Sequence, residues 1–166
     1  MKFLKKIFLA LLVILVLFQL VPRPQKNISA TASASDIATV HNVPADVQQI
    51  LKTSCNDCHS NNSIYPWYSA IQPLAMWLGN HINEGKRELN FSEFAKYRLA
   101  KQYHKLEEIN EQVKESEMPL SSYTLVHTDA KLNQEQKLVL ANWTVAAMNA
   151  MKAKYPADSL ILKKRN

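Results

Sequence analysis

Glycine and cysteine are both scarce in this chain, two of each in 166 residues. Glycine occurs only at Gly79 and Gly85, and no long alternating run of β-branched residues is present. That argues against a sheet and for an all-α domain. No internal repeat is visible, and the length suits one ordinary domain plus a short extra segment. With only Cys55 and Cys58 available, a four-cysteine zinc site is excluded. No cysteine lies directly after the apolar N-terminal run, which excludes a lipoprotein anchor. Nor is there an acid–base constellation of the kind an enzyme needs. The acids crowd instead onto a solvated helix face, "KLEEINEQVKESE".

The formal charge of +6 conceals its own distribution. Five of the 20 basic residues lie in residues 1–26, where there are no acids, and Lys163, Lys164 and Arg165 add three more. Between these ends stand 12 basic and 14 acidic residues, so the domain itself is not a nucleic-acid-seeking body. Lys2, Lys5 and Lys6 precede the apolar run "IFLALLVILVLFQLV", broken only by Gln19. A positive segment followed by such a run reads as an export signal. Small-residue cleavage patterns appear only at Ala30-Thr31-Ala32 and Ala32-Ser33-Ala34, well beyond the run. Residues 1–24 are therefore expected to be an uncleaved membrane anchor, with the lysines cytoplasmic and the remainder outside. Cleavage would instead release a soluble periplasmic form. Residues 25–41, "QKNISATASASDIATVH", have no apolar period and read as a flexible tether. The domain proper is expected over 42–155, with a basic tail over 156–166.

Within the domain, a first helix is expected near Pro44, with Val47, Ile50 and Leu51 on its apolar face, leading into Cys55. A second runs from about Pro73 to Glu84 and ends near Gly85. Asn90 and Glu93 resemble a capping box opening a third stretch that carries Phe94, Leu99, Tyr103, Leu106, Ile109 and Val113. The pattern leaves open a break near Ala100. "SEMPLSSYTLVHTDAK" is a loop, because Pro119 cannot continue a helix. Asn133 and Gln136 cap a final helix with Leu140, Trp143, Ala147 and Met151 at helical spacing. The core is poor for the loop content, a deficit that a buried cofactor would fill.

Cys55-Asn56-Asp57-Cys58-His59 is the pattern C-x-x-C-H of c-type haem attachment. Two thiols one helical turn apart can each add to a haem vinyl group, and the adjacent histidine then lies under the iron. Such attachment happens outside the cytoplasm, where the export signal would send the motif. The competing readings are weaker. A redox dithiol wants a β-α-β context, a zinc site wants more ligands, and a disulfide across so small a loop stabilises little. His59 is thus the expected proximal ligand of one covalent haem c. For the other face the candidates are Met76, Met118, Met148, Met151, His41, His81, His104 and His127. Met118 is preferred, because it stands in a loop immediately before a proline, 59 residues after His59. A thioether there raises the reduction potential relative to a second histidine. His81 is the leading alternative.

With Cys55–His59, Met118–Pro119 and the closing aromatic helix, the chain resembles a class I cytochrome c. More closely it is similar to the bacterial haem-binding domain family of exported mono-haem proteins. The likeness rests on "CNDCHSNNSIYPWYSAIQP", "NHINEGKRELNFSEF", "HKLEEI" and "EMPLSSYTLVHTDAKL", together with Trp143. The resemblance implies a cytochrome c-like helical domain wrapped around the haem. It also implies a proline carbonyl, from Pro66 or Pro73, accepting the second N–H of His59. Trp67, Tyr68, Trp77 and Tyr123 are implied as haem-pocket residues. The function so implied is single-electron transfer at the periplasmic face of the inner membrane with a redox partner protein, and no catalysis. The alternative is a haem sensor or ligand-binding module with a labile or open distal position, in which weak peroxidase activity would follow. A non-haem dithiol module is the remote third reading.

Overall fold

The computed structural model describes residues 2–162. Within them the chain is helical, and the only β-type pairing is an isolated bridge between Ile28 and Asn62. Seven α-helices follow in order: α1 (Lys2–Phe18), α2 (Ala45–Ser54), α3 (Asn56–His59), α4 (Leu74–Glu88), α5 (Leu99–Glu115), α6 (Ser121–Thr124) and α7 (Gln134–Lys154). Short 3₁₀ turns link them.

Helix α7 begins at a complete capping box. Gln136 N–H donates to Asn133 Oδ1 at 2.8 Å, and Asn133 N–H donates to Gln136 Oε1 at 2.9 Å. It packs along α5 and against α2. Phe94, Leu106, Leu140 and Val47 are fully buried at that junction. Trp143 donates its indole N–H to Asn42 O at 3.0 Å, which fixes the entry to α2. A second, smaller cluster of Tyr68, Leu78 and Ile82 lies on α4 and the turn before it, with Cys58 and Tyr65 against it. The C-x-x-C-H turn sits between the two.

Several boundaries differ from expectation. Asn90 does cap a turn, accepting from Ser92 N–H at 3.0 Å, but that turn is a 3₁₀ segment, Phe91–Lys96. The chain then goes extended at Tyr97 and Arg98, and α5 starts afresh at Leu99, which settles the break. Helix α4 does not stop at Gly85; it runs on to Glu88. Pro156 is followed by a 3₁₀ turn, Ala157–Leu160, whose Leu160 is buried in the main core. The expected basic tail is thus part of the domain through Leu160, and its Lys163, Lys164 and Arg165 lie outside the described residues.

The expected tether is a correction as well. Ile37 is buried in the main core, and Ser35 O accepts from Ala95 N–H at 2.9 Å. Asn27 is tied down on every polar atom. Its Nδ2 donates to Ser60 O at 2.8 Å and Ser63 Oγ at 2.9 Å, its N–H donates to Tyr65 Oη, and its Oδ1 accepts from Lys86 Nζ. A segment without an apolar period is held here by side-chain and backbone hydrogen bonds instead of by a hydrophobic face. Helix α1 has no buried residue, and among the described residues no helix is long and apolar enough to cross a membrane.

Candidate functional site

Helix α2 ends at Ser54, and Cys55 turns the chain at φ −128° and ψ −40° into the single turn of α3. Cys55 O accepts from both Cys58 N–H (3.2 Å) and His59 N–H (3.0 Å). Both cysteines are unpaired thiols. Burial, with the neighbouring Cys58, pushes the Cys55 thiol up to about 12, and burial with the adjacent Asp57 carboxylate pushes Cys58 up to about 11. A redox dithiol needs one thiol with a lowered pKa. These are shifted the other way.

His59 is oriented by the end of α4. The carbonyls of Gly85 and Leu89 each lie 3.0 Å from Nδ1. Carbonyls only accept, so the Nδ1–H is shared between them and a neutral ring keeps its lone pair on Nε2. Burial pulls the His59 pKa down; the two backbone bonds oppose this, and Lys105 adds to the lowering. Phe91 meets the ring edge-on at 6.2 Å. The expected partner, Pro66 or Pro73, is therefore a correction. The two carbonyls come from the C-terminal end of α4: Gly85 O in its last turn, which also accepts the Leu89 N–H at 2.9 Å, and the carbonyl of Leu89, the residue that ends the helix.

This requires α4 to approach α3 closely, which explains a glycine inside a helix. A Cβ on Gly85 would lie 2.6 Å from Cys58 O and 3.0 Å from Cys58 Cβ. No other residue fits without moving the motif.

A cleft of about 300 Å³ opens on this group. Its floor is Ser54, Cys55, Asp57, Cys58 and His59, and α4 contributes His81, Glu84, Gly85 and Glu88. Across from them stand Met118, Pro119, Leu120 and Tyr123, with Val113 and Leu132. The size is that of a small-molecule or cofactor site. Met118 is placed by the end of α5. Ser116 takes the left-handed conformation, φ 65°, and Gln112 O accepts from Glu117 N–H at 2.9 Å and Met118 N–H at 3.2 Å. Tyr123 donates its hydroxyl to Asp57 Oδ2 at 2.7 Å, tying the Met118 loop back to the motif. Burial, then Asp57, raises the Tyr123 pKa, so the phenol stays protonated and donates. Asp57 Oδ1 meanwhile accepts from Ile64 N–H at 2.8 Å.

Of the expected distal ligands, only Met118 and His81 line the cleft. Met148 and Met151 are buried in the main core. Met76 is exposed, His41 sits edge-on to Phe94, and His104 lies against Glu107 and Glu108. His127 pairs with the Tyr68 hydroxyl at 2.7 Å and stacks on Tyr123. His81 donates Nδ1–H to Trp77 O at 2.9 Å and packs on the Trp77 ring.

Among the expected pocket residues, only Tyr123 lines the cleft. Tyr68 is buried in the smaller cluster, one layer behind Cys58. Trp67 is 80% exposed and Trp77 37% exposed, both outside it. The 3₁₀ turn after Pro66 sends Tyr68 inward and Trp67 outward, a direction that residue type does not announce. Asp57, Gly85 and Leu89 were missed. Their contribution is backbone carbonyls, close approach and second contacts, and only the stray glycine near a helix end carried a signal. Among the described residues, no three His, Cys, Asp or Glu side chains group to hold a bare metal ion.

A family model described as "Haem-binding domain" matches residues 13–146. No curated protein and no solved structure matches the chain.

Proposed function

Because the chain belongs to the haem-binding domain family, we propose that it is an exported, membrane-attached mono-haem c-type cytochrome that carries single electrons. Haem binding itself follows from the family. The finer reading is supported by one observation above all: Cys55, Cys58, His59 and Met118 meet at a single cleft.

The residues present fit the group. Cys55 and Cys58 would hold a haem through thioethers, with His59 Nε2 and the Met118 sulfur as its iron ligands. A bound haem supplies reversible one-electron chemistry. Everything else is done by this chain. The Gly85 and Leu89 carbonyls fix the His59 tautomer and raise its basicity as a ligand. Val113, Leu120 and Leu132 line the walls with apolar surface. The Tyr123–Asp57 bond holds the Met118 loop against the motif. The role proposed is that of a carrier that exchanges single electrons with a redox partner protein. Export places it at the periplasmic face of the inner membrane, with α1 in the bilayer.

Optical spectra of the purified protein in both oxidation states test this. A six-coordinate, low-spin spectrum that opens on Met118→Ala and is unchanged in His81→Ala is the expected result. A five-coordinate ferrous form that takes up carbon monoxide readily in the unaltered protein would replace the carrier by a ligand-binding module.

A further inference from the structure

The apolar helix α1 and the haem cleft are joined by a segment that is bonded at both its ends. At the helix end, Gln19 Nε2 donates to Gln72 O at 2.9 Å and Gln19 Oε1 accepts from Gln72 N–H at 3.1 Å. Gln72 answers with its side chain: Nε2 donates to Val21 O and Pro22 O, and Oε1 accepts from Met76 N–H. Gln72 is fully buried, 0% exposed, and no polar group of its side chain is left over. Two residues further on, Pro24 packs so tightly on α4 that a Cβ at Gly79 would lie 2.8 Å from its ring carbons. Asn27 then braces Ser60, the residue after His59. The single polar residue of the apolar run is thus one half of a clamp, and the family match begins at residue 13, inside α1.

From Ile7 to Phe18 helix α1 is apolar on every side, and no side chain of the helix is buried. A helix hydrophobic on every side needs an apolar solvent. Lys2, Lys5 and Lys6 at its start and Arg23 and Lys26 beyond its end, with no acid before Asp36, complement anionic headgroups. The residues beside the clamp match that surroundings. Ile71 and Leu74 flank Gln72 and Pro73, and both are exposed. At no more than ~3.6 Å per residue, both lie within about 7 Å of Gln72. The headgroup layer of a bilayer is of similar thickness.

We infer that the clamp is a docking device: it holds the haem domain directly on the lipid surface, with the Ile71–Leu74 corner in the headgroup layer. The partner of this surface is a phospholipid bilayer, and the inference rests on the reading of α1 as a membrane-inserted helix. The domain does not sway on a tether; its haem cleft keeps one fixed attitude to the membrane. Cleavage after Ala32 or Ala34 would remove Asn27 from behind the motif, so the segment is retained in the working protein.

The test uses the full-length holoprotein in liposomes of phosphatidylethanolamine and phosphatidylglycerol. A nitroxide is placed at Leu74→Cys and, as control, at Leu138→Cys on α7, which packs on α5 and α2. Haem occupies the native thiols. Collision with a water-soluble nickel chelate is expected to be several-fold lower at position 74 than at 138, and collision with oxygen higher. Equal access at both positions overturns the inference. So does spin–spin broadening that marks a helix dimer, or a mature mass that lacks residues 1–32. The double variant Gln19→Leu/Gln72→Leu is expected to raise chelate access at position 74 while haem retention persists. If that variant does not fold, the comparison of 74 with 138 still decides. Loss of covalent haem from the unaltered protein would instead count against the cytochrome reading, a separate readout.

Discussion

Asp57 occupies one of the two variable positions of the C-x-x-C-H motif, yet it holds three parts of the site together. Its carboxylate takes the Tyr123 hydroxyl and the Ile64 amide, and its carbonyl takes Ser63 Oγ at 2.5 Å. Hydrogen bonds to a charged group contribute about 1.5–3 kcal/mol. Tyr123→Phe is therefore expected to lower stability by roughly that amount in chemical denaturation. The same change should loosen the Met118 loop, seen as a weaker sulfur–iron charge-transfer band in the oxidised spectrum. The cysteines give a pH prediction. Their folded pKa values, about 12 and 11, stand above the ordinary 9.0, so below pH 9 both thiols are protonated. Alkylation of the haem-free protein should be slow at neutral pH and accelerate only as the pH climbs toward 11. Stability should run the opposite way. The raised values favour the folded state below pH 9, and that contribution is lost as pH rises through them. Protein with covalent haem should show neither effect, because the thiols are consumed. Fast alkylation of haem-free protein at pH 7 would show that burial does not control these thiols.

At the scale of elements, α4 does most to build the site. Its interior glycine admits α3, and its terminal carbonyls take the His59 N–H. Gly85→Ala gains helix propensity of ~1 kcal/mol, but it forces a methyl into Cys58 O. Overpacking of this kind costs about 1–3 kcal/mol, so the net effect should be destabilising, with a lowered thermal midpoint and weakened His59 coordination. A stabilised variant with an unchanged Soret band would show that the approach is not tight. The elements also explain what was legible in the sequence. C-x-x-C-H was legible because its chemistry is local and belongs to side-chain type. Helices α2, α5 and α7 were legible because their apolar period continues into a real core. Met118 was singled out by the proline beside it, and the structure brings it to the cleft. Gly85 O and Leu89 O were not legible, since every residue carries a carbonyl and only the packing of α4 against α3 brings these two to the ring. Trp67 and Trp77 misled because an aromatic residue near a motif says nothing about which way it points.

The whole molecule is held together from its N-terminal side more than composition suggested. Residues 25–41 looked like a tether because they lack an apolar face, but Asn27 and Ile37 bind them to the domain. A chain starting at Ser35 should therefore fold less stably. Each lost hydrogen bond contributes ~0.5–1.5 kcal/mol, and those of Asn27 together amount to a few kcal/mol. The deficit should appear as a lower denaturation midpoint of the holoprotein and faster loss of His59 ligation on heating. Equal stability of the long and short forms would return this segment to the status of a linker. The charge distribution fits the same layout, with cations gathered at the N-terminal segment and a near-neutral body behind them.

The central claim is a single covalent haem on Cys55 and Cys58, and the intact mass of denatured protein tests it most directly. Full-length chain produced with a c-type haem maturation system is expected to carry the mass of one haem, retained through acid–acetone extraction. Cys55→Ser and Cys58→Ser together should abolish it. A denatured chain at its bare polypeptide mass, with haem recovered in the solvent, would contradict the account.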